Sequence, residues 1–250
     1  MDMKQAGSES SILAILGFHK VGAPPPGGWD TWFYVPDATF VGYLAYLREH
    51  GWEAISAKCL LRGLAEPGNL PSRSVLITFD DGYRSLLEVA VPHLLRFGYP
   101  ATLFVPTDFI GGSNLFDAGV EPEEAICGWA DLRELTRLGI SVQSHGAAHR
   151  PFSTLNATEQ RMELEKSKAV LEHGLGEAVE LFSYPYGDAG PDIDATRRAL
   201  AEAGYKAACL YGGGPNSLPP SDPYRLTRLA MGPDTDLHAL LDEFGGKHAG

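Results

Sequence analysis

Ile77-Thr78-Phe79-Asp80-Asp81-Gly82-Tyr83 closes an apolar run, residues 74–79, and then turns at a glycine. The run reads as a buried strand, and the two carboxylates stand where it ends. Neighbouring carboxylates repel, so a site that keeps both gives one of them a cation. Downstream, Ser144-His145-Gly146-Ala147-Ala148-His149 closes a second apolar run, residues 140–143. A carboxylate and two imidazoles are the ligand set of an open catalytic metal site. The other carboxylate of the pair is then free to act as a base.

Outward from these two strings, strand patterns alternate with helix patterns. Strands are expected at residues 12–18, 52–55, 74–79, 101–105, 140–143, 179–183, 206–209 and 225–230. Helices are expected at 38–49, 57–63, 83–96, 129–138, 158–173, 192–203 and 236–244. Residues 106–127 form one long irregular stretch, which in a compact domain marks a functional loop. The alternation predicts an α/β chain with a parallel sheet, open or closed into a barrel. Active sites of such folds lie at the C-terminal ends of the strands, where Asp80, Asp81 and His145 fall. Residues 1–10 read as a frayed tail and 11–250 as one catalytic domain.

The 250 residues are 44% hydrophobic and carry a formal net charge of -12. That charge repels phosphate and argues against a nucleic-acid or anionic-membrane partner. Cys59, Cys127 and Cys209 are odd in number and widely spaced, which predicts free thiols in a reducing compartment. The apolar run at residues 12–18 is too short for a transmembrane span and lacks a basic leader, so cytoplasmic residence is the expectation.

Each motif has an ordinary reading beside the chemical one. Asp-Asp-Gly is also common turn chemistry. His145 and His149 are four apart, so one helical turn would point both imidazoles the same way. Tyr184-Pro185-Tyr186-Gly187 is either a packed Pro-Gly turn or a turn that aims a backbone N–H at an oxyanion. His19 ends the first strand, as a capping group or as the acid the site still lacks. His50, His93, His173, His238 and His248 read as solvated or packed, and Gly111-Gly112 and Gly212-Gly213-Gly214 lack the lysine and helix of a phosphate loop. Trp29, Trp32 and Trp129 could stack on a sugar or simply pack.

Taken together, these strings resemble the polysaccharide deacetylase family, also described by NodB homology or as carbohydrate esterase family 4. Thr78-Phe79-Asp80-Asp81-Gly82-Tyr83 matches the family's first motif. Ser144-His145-Gly146-Ala147-Ala148-His149 is similar to the second, usually Ser-His-Thr-x-x-His. Phe182-Ser183-Tyr184-Pro185-Tyr186-Gly187 is similar to the third, and Gly128-Trp129-Ala130-Asp131-Leu132 to the tryptophan segment. The resemblance implies a single-domain α/β fold, a distorted (β/α)7-type barrel. It implies that Asp81, His145 and His149 bind a divalent metal ion, zinc or else cobalt, nickel or manganese. Asp80 would be the general base, the Tyr186 backbone N–H would hold the oxyanion, and Trp129, Tyr184 and Pro185 would touch substrate.

Three departures stand out. Gly146 replaces a threonine that normally braces the metal loop. Ser183 stands where many members have an arginine that tunes the base. No Leu-x-x-His follows near the C-terminus, whereas Leu16-Gly17-Phe18-His19 fits that pattern at the N-terminus, as in a permuted branch resembling the exopolysaccharide N-deacetylases. That arrangement makes His19 the expected general acid. The implied reaction is removal of N-acetyl groups from a carbohydrate substrate, with release of acetate. The same site would also suit an esterase or amidase acting on O-acetyl, formyl or cyclic amide groups, or a non-catalytic carbohydrate-binding relative.

Overall fold

A computed structural model describes residues 12–245. The tail expected at residues 1–10, and His248, lie outside the described residues. Strand β1 (Ile12–Phe18) lies between β5 (Arg73–Phe79) and β11 (Leu229–Ala230), parallel to both. From β5 the sheet continues in parallel through β6 (Ala101–Val105), β7 (Ile140–Ser144), β8 (Leu181–Ser183) and β9 (Ala207–Cys209). A parallel bridge from Cys209 to Leu226 carries β9 toward the segment that ends in β11. The sheet therefore curls into a distorted barrel of seven parallel strands, as expected. Short strands decorate it: β4 (Glu53–Ala54) on β5, antiparallel β10 (Asn216–Ser217) on β1, and a separate pair of β2 (Lys20–Val21) with β3 (Tyr34–Val35). The sequence pattern did not reveal β2, β3 or β10, because two-residue strands have no period to read.

Helices α1 (Asp37–Glu49), α2 (Ala57–Ala65), α3 (Val91–Phe97), α4 (Trp129–Arg137), α5 (Ala157–Leu175), α6 (Ile193–Glu202) and α7 (Leu237–Gly245) supply the crossovers and the C-terminal cover. Side chains alternate along each strand, so two apolar layers form. Ala14, Leu16, Phe18, Val75, Ile77 and Phe79 pack in one layer with helix residues such as Phe40, Leu94 and Leu164. Leu13, Ile15, Leu76, Phe104, Leu181 and Leu226 pack in the other, joined by Leu60 of α2. The parity that buries Leu76 carries on through Thr78 to Asp80, and that of Leu13 and Ile15 through Gly17 to His19. Strand alternation thus delivers both polar groups to the same face just past the strand ends.

Three of the element boundaries that differ from the sequence reading have a visible physical cause. The helix expected from residue 83 begins at Leu86, because Arg84 N–H and Gly82 C=O are spent on Ala125 and Cys127 of the long loop. Pro92 lacks a donor, and the turn before it widens so that Val91 N–H reaches the Leu86 carbonyl. α5 starts before Thr158: Asn156 accepts from the Thr158 and Glu159 N–H groups, and Glu159 accepts from Asn156, which is a capping box. Of the strand expected at residues 225–230 only Leu229–Ala230 forms, since Pro223–Arg225 makes a helical turn. Cys127 and Cys209 are buried free thiols, each pushed up to about 12 mainly by burial. Among the described residues no helix is long and apolar enough to cross a membrane.

Candidate active site

Asp81, His145 and His149 meet at the C-terminal rim of the barrel, each almost wholly buried. Their ligand atoms all lie within 4.8 Å of one another. Asp81 Oδ1 is 3.3 Å from His145 Nε2 and 3.1 Å from His149 Nε2. His145 Nδ1 lies 2.7 Å from the Ser183 carbonyl, which can only accept, so the ring proton sits on Nδ1. In its neutral form His145 then presents a lone pair at Nε2; burial favours that form, while the Asp80 and Asp81 carboxylates outweigh burial and raise the pKa, and Asp81 Oδ1 has no hydrogen-bond partner. Two buried carboxylates facing two imidazole nitrogens call for positive charge, and a donor set of two imidazoles and a carboxylate suits zinc and its neighbours. His145 and His149 are not on one helical turn: Gly146 and His149 have φ of 79° and 54°, and the segment folds as an irregular loop. Convergence comes from that loop rather than from helical periodicity.

Left-handed backbone at a residue with a side chain costs about 1–3 kcal/mol and gathers at functional sites. Among the described residues the non-glycine positions with positive φ are Asp81, His149 and Tyr186, and all three line one cleft. The cleft measures about 300 Å³ and is lined also by His19, Asp80, His145, Phe33, Tyr83, Asp117 and Tyr211.

Asp80 is held by a residue that the sequence reading did not single out. Arg228 donates to Asp80 Oδ1 at 2.7 Å and to Oδ2 at 2.6 Å, and also to Ser183 Oγ at 2.8 Å. Burial alone would raise the Asp80 carboxyl, but the Arg228 guanidinium and His145 outweigh it and hold it below its ordinary range. The serine at position 183 thus leaves room for a guanidinium arriving from the segment before β11. Leu226-Thr227-Arg228-Leu229-Ala230 carried the signal: an arginine whose strand parity matches a buried leucine needs a buried partner.

His19 lies with Nε2 at 3.9 Å from Asp81 Oδ2, its ring 4.3 Å from that of Phe33 and its Nδ1 3.4 Å from the Tyr211 hydroxyl. Burial lowers its pKa, against the opposing pull of Asp81 and Asp80. Tyr186 is exposed at the cleft edge, with its ring 4.6 Å from His149 and its hydroxyl donating to Asp117. The three residues expected to touch substrate do not reach the cleft. Trp129 packs on α5 at Gly174, where an added Cβ would meet the indole at 2.1 Å. Tyr184 is fully buried with its hydroxyl on the Tyr224 carbonyl, and Pro185 is buried behind the loop at Gly146. The aromatic residues at the cleft are instead Phe33, Tyr83, Tyr186 and Tyr211. One cleft wall is stapled by Lys20, buried with Nζ 2.8 Å from Glu121 Oε2 and 3.4 Å from Glu124 Oε1, which ties the long loop to β2.

A parallel barrel with this cluster and an arginine-held second carboxylate at its C-terminal rim has the architecture of a barrel enzyme. The sequence profile described as polysaccharide deacetylase matches residues 68–208, more than half of the 250, and the chain belongs to that family. YxkH of Bacillus subtilis, named as a polysaccharide deacetylase, is 27% identical over 78% of this chain, which spans 62% of YxkH. The poly-β-1,6-N-acetyl-D-glucosamine N-deacetylase of Staphylococcus epidermidis is 24% identical over 86% of this chain and 73% of its own length. The solved structure of the Streptococcus pyogenes deacetylase PplD in complex with acetate superposes with a TM-score of 0.78 at 22% identity, covering 93% of this chain and 98% of that one. That likeness establishes the shared fold.

Proposed function

We propose that this protein is a metal-dependent hydrolase that removes N-acetyl groups from an amino sugar of a polysaccharide, releasing acetate and leaving a free amine. The observation that carries the reading is the donor-free Asp81 Oδ1 between the Nε2 atoms of His145 and His149, beside the second carboxylate of Asp80. The family supports the choice of a carbohydrate acyl bond, and the named substrate of the staphylococcal relative supports an N-acetyl group.

Asp81, His145 and His149 would hold the ion. A divalent cation so held supplies Lewis acidity toward a carbonyl and lowers the pKa of water toward neutrality. Asp80 takes the proton of the attacking water. Arg228 fixes its plane through both oxygens; Oδ2 also accepts from the Ser183 hydroxyl at 3.4 Å, so Oδ1 keeps the further lone pair. The Tyr186 backbone N–H, turned by its φ of 58°, donates to the developing oxyanion. Such a donor contributes about 2.7–4 kcal/mol. His19 gives a proton to the departing nitrogen, which could not leave as an anion. Because burial lowers its pKa, a proton placed on His19 is readily given up. The aromatic walls suit the apolar faces of a sugar ring, and Asp117 can accept from a hydroxyl.

Elemental analysis of the purified protein together with an acetate-release screen tests the reading. Stoichiometric divalent metal and acetate from N-acetylated glycans are expected. Acetate from O-acetyl sugars alone would replace the amide by an ester, and bound metal with no hydrolysis of either would make the protein a binding relative. Substitution of His19 by alanine is expected to leave the metal content unchanged and to lower kcat by about 10²-fold. Unchanged kcat would assign the leaving-group proton to another donor.

A further inference from the structure

The loop from His145 to His149, directly after β7, has no regular secondary structure, yet its backbone is engaged on both sides. On one side, Glu163 of α5 accepts with a single oxygen, Oε2, from the N–H groups of Ala147 at 2.7 Å and Ala148 at 2.8 Å. Four residues along the same helix, Ser167 Oγ lies 2.7 Å from Ser144 Oγ, which in turn accepts from Gly146 N–H at 3.2 Å. On the other side, the Gly146 and Ala147 carbonyls accept from the Thr107 and Asp108 N–H groups at 3.1 and 2.9 Å. Glu163 is only 8% exposed. A carboxylate so far from water is costly unless its oxygens are hydrogen-bonded, and two amides of this loop do that work.

Gly146 belongs to the same arrangement. It has φ of 79°, and a Cβ there would come within 3.1 Å of Glu163 Oε2. A side chain at position 146 and the carboxylate of Glu163 compete for one space, so the loop is braced from the helix and not by its own second residue.

We propose that Glu163 is a positioning residue for the metal site. Its carboxylate fixes the Ala147 and Ala148 amides, and through them the left-handed backbone of His149 that turns this imidazole toward Asp81. The inference rests on the metal-site reading given above. It assigns part of the site's affinity to a helix residue that touches neither ion nor substrate.

Zn2+ affinity of the metal-stripped protein, measured by competition with a chromophoric chelator, tests this, with thermal unfolding of the metal-free form recorded alongside. Glu163→Ala is expected to weaken Zn2+ binding by about 10–100-fold, the effect usual for groups that orient ligands. Glu163→Gln keeps an amide oxygen that can accept from both N–H groups, so its affinity should lie between Glu163→Ala and the unsubstituted protein. Should Glu163→Ala fail to fold, Glu163→Asp draws the carboxylate back by one methylene and is expected to cost about 10-fold. Unchanged Zn2+ affinity in a folded Glu163→Ala or Glu163→Asp variant, with only the melting temperature moved, overturns the positioning role. A folded unsubstituted protein that binds no Zn2+ defeats the metal-site reading instead, and the role of Glu163 falls with it. His149→Ala, which removes a ligand outright, marks the floor of the scale.

Discussion

Chelation is expected to abolish acetate release and added Zn2+ to restore it, whereas Asp80→Asn is expected to keep its metal and still lose turnover. The two losses differ because adjacent carboxylates have different partners. Asp81 Oδ1 faces two imidazole nitrogens at 3.1–3.3 Å, while both oxygens of Asp80 are taken by Arg228. On the proposed reading, removing the ion, or Asp81, His145 or His149, removes the Lewis acid that activates the acetyl carbonyl. Asparagine at position 80 is isosteric and still accepts one bond from Arg228, but its amide cannot take a proton from water. Loss of a general base costs about 10²–10⁴-fold, and the upper part of that range is expected where no second carboxylate stands free. Metal content by elemental analysis and kcat on an N-acetylated glycan decide the matter. Metal loss in Asp80→Asn would place Asp80 among the ligands. Full activity in that variant would remove it from the chemistry.

Much of this site was readable because its chemistry sits at strand ends. A strand needs only local alternation, so the runs ending at Phe79 and Ser144 announced where Asp80, Asp81 and His145 would emerge. His19 was legible for the same reason, at the end of β1. Local pattern could not say how His149 arrives. The four-residue spacing suggested a helical turn, but Gly146 and His149 are left-handed and the loop is set by Glu163 and Ser167 of α5 and by Thr107 and Asp108. Those contacts span 15 residues or more and leave no periodic trace.

The cleft walls were harder still. Trp129 looked like a sugar platform by its motif, yet the absent side chain of Gly174 gives its indole a seat on α5. Tyr184 and Pro185 directly precede the two residues of their motif that do reach the cleft, Tyr186 and Gly187. A turn exposes some residues and buries others, and only its backbone geometry says which. Phe33, Asp117 and Tyr211 lie in irregular segments whose positions follow from long-range staples such as the Lys20 ion pairs. Composition and motif carry no record of that packing.

Arg228→Met is expected to destabilise the protein by about 3–5 kcal/mol, because it strands a buried carboxylate. At roughly 2–4 °C per kcal/mol for a domain of this size, the midpoint should fall by about 6–20 °C. The guanidinium is fully buried, and besides both Asp80 oxygens it serves Ser183 Oγ and the Leu210 carbonyl, the last at 2.7 Å. Methionine fills the space but takes away the guanidinium from the Leu210 carbonyl and from both Asp80 oxygens, leaving the Ser183 hydroxyl at 3.4 Å from Oδ2. Arg228→Lys keeps the charge but offers a single ammonium, which cannot span both oxygens and the carbonyl, so a smaller loss is expected. The decisive comparison is the double variant Asp80→Leu with Arg228→Met. Replacing both members of a buried ion pair by apolar groups is often neutral, so the double variant should melt well above Arg228→Met alone while remaining inactive. If the double variant instead shows the sum of the two single losses, the pair is not a coupled unit. Arg228 would then owe its cost to the Leu210 and Ser183 bonds, and the anchoring of Asp80 would have to come from elsewhere.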